Sequence, residues 1–152
     1  LRDAYAFPML RAKNRFLGIR YRTQGGQKFA AKGSKQGLFV PSSFTLAKAI
    51  VVCEGPTDTA AMLDLGFNAI GRASCNSGVR LVEEIVQGNP VAILADSDEA
   101  GRAGACQLAR KITKAVIIEP DGHKDGREWV ANGATRGRVL EKIREARDAK
   151  RN

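Results

Sequence analysis

From residue 49 onward, four short and almost purely apolar runs recur: AIVVC (49–53), NAIG (68–71), VAILA (91–95) and AVIIE (115–119). Each is followed by a stretch with helical spacing. Runs this short cannot be helices, and strands with one wet face would alternate, so they read as strands of a parallel sheet buried on both sides. Three apolar stripes fill the gaps: Ala61, Met62 and Leu65; Val79, Val82 and Val86; Ala105, Leu108, Ala109 and Ile112. They predict three helices, the first capped by Thr57 or Asp58. Right-handed crossovers then put every C-terminal strand end on one edge, where α/β domains collect ligands. The final stretch, TRGRVLEKIREARDAKRN, predicts a charged helix with Val139, Ile143 and Ala146 on the face that docks on the sheet or continues into a further region.

The first third follows different rules. Residues 1–50 carry ten lysines and arginines against Asp3 alone, while the remainder is balanced, so the whole net charge of +9 belongs to this segment. Such asymmetry points to a polyanion partner, nucleic acid above all, or to a merely solubilising surface. In FLGIRYRTQGGQKFAAKGSKQGLFVP, Ile19 and Tyr21 alternate with Arg20 and Arg22, Gly25 and Gly26 make a turn, and the chain resumes at Lys28 and Phe29. That is a basic-faced hairpin, with Arg15, Arg20, Arg22, Lys28, Lys32 and Lys35 placed to hold a strand's phosphates without reading its sequence. A short strand at 38–40 follows, and PSSFTLAKA reads as a loop and short helix. The expected organisation is a basic β-rich subdomain (1–47), an α/β domain with about four parallel strands (48–135) and a C-terminal charged helix (136–152).

Other features narrow the class. Cys53, Cys75 and Cys106 lack paired spacing, so neither a disulfide framework nor a zinc site is expected, and a reducing, cytoplasmic compartment fits. No apolar run approaches the about 18 residues that span a bilayer. The start at Leu1 reads as an excerpt from a longer chain.

Carboxylates gather at the predicted ligand edge. Glu54 ends the first apolar run with Asp58 four residues on, and Asp96 and Asp98 end the third, in ILADSDEAG. If those strands are neighbours, Glu54, Asp96 and Asp98 converge, and converging like charges require a cation. Hard oxygen donors suit Mg²⁺ or Mn²⁺, which bridges carboxylates to phosphate oxygens, so metal-assisted phosphoryl chemistry is the reading. Asp98 or Glu99 can instead cap the next helix.

EGPTD followed by DSDEAG, each after an apolar strand, resembles the TOPRIM domain of bacterial-type primases, topoisomerases and certain nucleases. DGHKDGREWVANG and the basic lead-in are similar to the primase branch, particularly primases and primase-helicases of phages and mobile elements. The topoisomerase branch needs a strand-cleaving tyrosine, and Tyr5 and Tyr21 have no such setting. No zinc module precedes the domain, and GRASCNSG replaces a longer loop of the cellular enzymes. The resemblance implies a Rossmann-like TOPRIM sheet and a DNA primase core that makes short primers on single-stranded DNA from nucleoside triphosphates. It further implies helicase or other replication domains as companions. Glu54, Asp96 and Asp98 would be catalytic and metal-holding, with Asp58 and Asp125 as further ligands. Lys124 would bind triphosphate, with Arg72, Ser74 and Arg102 touching phosphate. Asp58 equally caps its helix, Lys124 equally sits in solvent, and His123 reads as loop surface. A metal-dependent nuclease and a non-catalytic nucleic-acid-binding module are the alternatives.

Overall fold

A computed structural model describes residues 3–151; Leu1, Arg2 and Asn152 lie outside, the last including the end of the expected terminal helix. The four apolar runs form strands β5 (Ile50–Cys53), β6 (Asn68–Arg72), β7 (Val91–Leu94) and β8 (Ala115–Ile118), preceded by β1 (Ala4–Arg11), β2 (Arg15–Thr23), β3 (Lys28–Ala30) and β4 (Leu38–Phe39). All eight make one continuous sheet in the order β3-β2-β1-β4-β6-β5-β7-β8. β6, β5, β7 and β8 pair in parallel, while the other contacts, including β4 with β6, are antiparallel.

Helices α1 (Pro56–Asp64), α2 (Val79–Val86), α3 (Glu99–Ala109), α4 (Gly126–Ala131) and α5 (Arg136–Arg151) cover the parallel strands. The chain steps from β5 to β6 in one direction and from β6 back past β5 to β7 in the other. Right-handed crossovers therefore place the connecting helices on opposite faces. Val52, Ile70 and Ile93 pack with Val82 and Ile85 of α2 and Ala105 and Leu108 of α3. Val51, Ala69, Leu94 and Val116 pack on the other side with Met62 of α1, Trp129 of α4 and Val139 and Ile143 of α5. The reversal makes the β5/β7 edge a topological switch point, where a crevice opens at the C-terminal strand ends.

The expected hairpin is present, with Arg20 opposite Ala30, Tyr21 opposite Phe29 and Arg22 opposite Lys28. Its turn closes through Gly26 at φ 86°, a conformation that disfavours any side chain. The structure adds β1, which the sequence reading did not single out, and corrects two expectations. β1 extends along β2 despite Pro8, because β4 reaches β1 only at Leu10 and so leaves the proline stretch behaving as a sheet edge. PSSFTLAKA forms no helix. The buried Asn68 side chain takes over its backbone, accepting from Thr45 N (3.1 Å) and donating to Thr45 O (2.8 Å) and Lys48 O (3.3 Å). Neither Thr57 nor Asp58 caps α1. Gly55 is the cap residue and Pro56, whose fixed φ suits the first helical position, starts the helix one turn-position earlier.

Candidate active site

Glu54 leaves β5 and Asp96 leaves β7 on neighbouring strands, so the two acids face one crevice. Glu54 is half-buried, and its Oε1 is shielded from solvent with no hydrogen-bond partner. Burial pushes its carboxyl up; the Arg72 charge pulls it down, and Asp98 and Asp58 push it up again. Asp96 is pushed up to about 7, by burial first and then by Glu54, Asp58, Asp125 and Asp98. The carboxylates expected to converge thus sense one another as like charges. Among the described residues, however, no three acidic, histidine or cysteine side chains come close enough to cage an ion by themselves.

The other acids have second duties. Asp98 caps α3, its Oδ1 accepting from Gly101 N at 2.7 Å, which leaves Oδ2 for the crevice. Asp58 is buried in the first turn of α1 and accepts from Arg127 N at 2.9 Å. Burial pushes its carboxyl up. Asp125 caps α4 by accepting from Glu128 N at 2.7 Å, and Glu128 reaches back to Lys124 N at 2.8 Å. Ser97, between the two aspartates, ties this loop down, with its amide donating to Lys124 O (2.9 Å) and its hydroxyl to His123 O (2.5 Å). Sequence reasoning passed over Ser97, although its place inside D-x-D was the available signal.

The cations separate into three groups. Arg20, Arg22 and Lys28 line one cavity with Phe7 and Tyr21, and its opposite wall is Glu54, Gly55, Pro56, Thr57 and Asp58. Arg22 reaches across to donate to Thr57 Oγ1 at 3.2 Å. Arg15 instead lines a separate groove with Arg11 and Lys13, and Lys32 and Lys35 are exposed. Lys124 is exposed beside the crevice loops. Two arginines assigned to phosphate are otherwise engaged. Arg72 is 2% exposed and donates to the carbonyls of Gly104 and Cys75, since it turns beneath α3 and not outward. Its charge acts on Glu54 from below. Arg102 forms a forked pair with Glu119 at 2.9–3.1 Å on the surface. Ser74 accepts from Ser77 Oγ through its own carbonyl within the loop after β6.

No family model matches the sequence, and no curated protein does. Solved structures do. A chain of the bacteriophage T7 complex of lagging-strand DNA polymerase with primase domains of two gp4 subunits, bound to an RNA/DNA hybrid and dTTP, aligns with TM-score 0.71 over 94% of this chain and 78% of that one, at 18% identity. The primase fragment of the bacteriophage T7 primase-helicase aligns with TM-score 0.70 over 92% and 62%, at 17% identity. A DnaG primase catalytic domain bound to single-stranded DNA aligns with TM-score 0.64 over 95% and 53%, at 18% identity. The fold is that of primase catalytic cores. The chain spans 62% and 53% of the second and third of these, and at such identities the likeness is one of fold.

Proposed function

We propose that this chain is the catalytic piece of a DNA primase that joins nucleotides into short primers on a single-stranded DNA template. The carrying observation is the crevice at the switch point, where Glu54 and Asp58 face Arg20, Arg22 and Lys28 across one cavity and Asp96, at the end of the neighbouring strand, senses the Glu54 charge. Carboxylates on one wall and guanidinium groups on the other form a site for a triphosphate accompanied by a cation.

The donors suit Mg²⁺ or Mn²⁺. They are hard oxygens, they repel one another as anions, and Glu54 Oε1 has no partner within the protein. Their spacing suits a hydrated ion held by one or two carboxylates and by substrate phosphates, not a closed protein cage. We assign Glu54, Asp96 and Asp98 to holding it, with Asp58 and Asp125 behind them. When bound, it would neutralise the charge that develops on the phosphates. The Glu54 carboxylate would accept the proton of the attacking 3′-hydroxyl as that oxygen bonds to the α-phosphorus and pyrophosphate leaves. Arg20, Arg22, Lys28 and Lys124 would hold the triphosphate, and Arg15, Lys32 and Lys35 the template backbone. In this reading residues 1–47 deliver the strand, 48–135 carry the chemistry and 136–152 brace the sheet. Helicase or other replication functions reside elsewhere in a phage or mobile-element protein working in the cytoplasm.

The test is incubation of the chain with single-stranded DNA, nucleoside triphosphates and Mg²⁺. New short oligonucleotides that vanish in Asp96→Asn support the proposal. Fragments of the input strand without added nucleotides would replace it with a nuclease.

A further inference from the structure

The three-stranded wing β1–β2–β3 has two faces, and only one looks into the crevice. Residues paired across strands share a face. Tyr5 pairs with Arg22 and Phe7 with Arg20, which puts both aromatics on the arginine side. Tyr21, which also borders the crevice cavity, pairs with Phe29 on the opposite side. Phe16 joins them there: a bulge between Met9 and Leu10 pairs Phe16 with Leu10, which shares its side with Pro8 and Ile19. The second face therefore carries Phe16, Tyr21 and Phe29.

This face is uncovered. Phe16 is 62% and Phe29 37% exposed. Neither apolar layer of the molecule includes Phe16, Ile19, Tyr21 or Phe29. Tyr21 and Phe29 lie side by side, with ring centroids 5.3 Å apart and planes tilted by 32°. Arg15 and Lys28 pair with Arg11 and Arg22 on the other face, but Lys32 and Lys35 follow Phe29 in exposed positions, and Asp3 is the one acid among residues 3–50.

Exposed rings set among unpaired cations suit a ligand with both π-faces and negative charge. A second copy of the chain meets this surface with the same positive charge, and a duplex keeps its base faces stacked inside. Single-stranded nucleic acid offers both features, since every base has a face to stack and every linkage a charge. We propose that the Phe16, Tyr21 and Phe29 face is a base-stacking surface for single-stranded nucleic acid, whose backbone follows Lys32 and Lys35. This deepens the primase reading by naming where unpaired template rests, and it depends on that reading only for the strand's identity.

The experiment measures fluorescence anisotropy of a labelled twelve-nucleotide oligo(dT) and of an abasic oligomer of equal length, each titrated with the 152-residue chain at several salt concentrations. The wild type binds oligo(dT) more tightly than the abasic strand. Phe16→Ala and Phe29→Ala each weaken oligo(dT) binding roughly 5- to 150-fold, the range for losing one stacked base, without altering the salt slope, since no cation is removed. Phe16→Tyr and Phe29→Tyr keep a ring and retain binding, which separates stacking from a folding defect. Equal wild-type affinity for the two strands, or unchanged affinity in the alanine variants, overturns the proposal. Loss of discrimination alongside intact primer synthesis sinks the stacking surface alone; intact discrimination without synthesis sinks the primase reading alone.

Discussion

Substituting Gly101 tests how tightly α3 is seated on the acidic edge. A Cβ there would meet the Asp96 carbonyl oxygen at 2.6 Å and the Asp96 Cβ at 2.8 Å. Ordinary contact begins near 3.4 Å, so the Asp96 segment or the helix must yield by about 0.6–0.8 Å in an interior that does not compress easily. Alanine returns about 0.5–1 kcal/mol of helix propensity. Overpacking costs about 1–3 kcal/mol. Gly101→Ala should therefore lose about 0–2.5 kcal/mol of stability, the difference between those two ranges. Gly137, in the first turn of α5, has no neighbour closer than Thr135 Oγ1 at 3.7 Å, and Gly137→Ala should gain about 0.5–1 kcal/mol. Urea unfolding midpoints of the two variants read this contrast. Where the Asp96 segment yields, Gly101→Ala should also lose activity out of proportion to stability, on the order of 10²-fold for a misplacement near 1 Å. A gain of stability equal to that of Gly137→Ala would refute the reasoning.

Asp98→Ala removes the α3 cap and should cost about 0.5–2 kcal/mol in urea unfolding, whereas Asp98→Asn keeps an accepting oxygen and stays close to wild type. Because Asp96 ionises less readily when folded than when unfolded, the native state holds the extra proton between the usual aspartate range and about pH 7. Stability should thus fall as pH rises through that window, and Asp96→Asn should flatten the fall in thermal melts. Arg72→Ala should be poorly tolerated, since it strands the carbonyls of Gly104 and Cys75 at about 1–3 kcal/mol for each unsatisfied group. Its measure is the loss of urea midpoint.

Much of this was legible in the sequence because one residue type carried one meaning. The β-branched runs around Val51, Ile70, Ile93 and Val116 have no stable location except a doubly covered sheet, and crossover handedness gave the shared ligand edge, whereas the adjacency of β5 and β7 came only from the structure. The Arg20/Tyr21 alternation gave the hairpin for the same reason. What escaped depends on partners distant in the chain. Nothing within PSSFTLAKA reveals that Asn68 will satisfy its backbone in a non-helical form. Pro8 hid β1, because its tolerance depends on how far β4 extends. Arg72 looked outward from its position after an apolar strand, and only the close seating of Gly104 on the Cys75 segment explains how it turns beneath α3. The alternation that placed Arg20 and Arg22 on one face did not reveal that Arg22 crosses to Thr57 or that their cavity is shared with Glu54 and Asp58.

The acidic edge is proposed as a cation site, and Mn²⁺ binding measured by the electron paramagnetic resonance of the free ion tests this most directly. At pH 8, where Asp96 is ionised, the chain should bind Mn²⁺; at pH 5, with Asp96 protonated, binding should weaken. Glu54→Gln combined with Asp96→Asn should lower affinity at pH 8 by at least about tenfold while circular dichroism shows the fold intact. Mn²⁺ binding that is unchanged in that variant, or insensitive to pH across this range, would contradict the account.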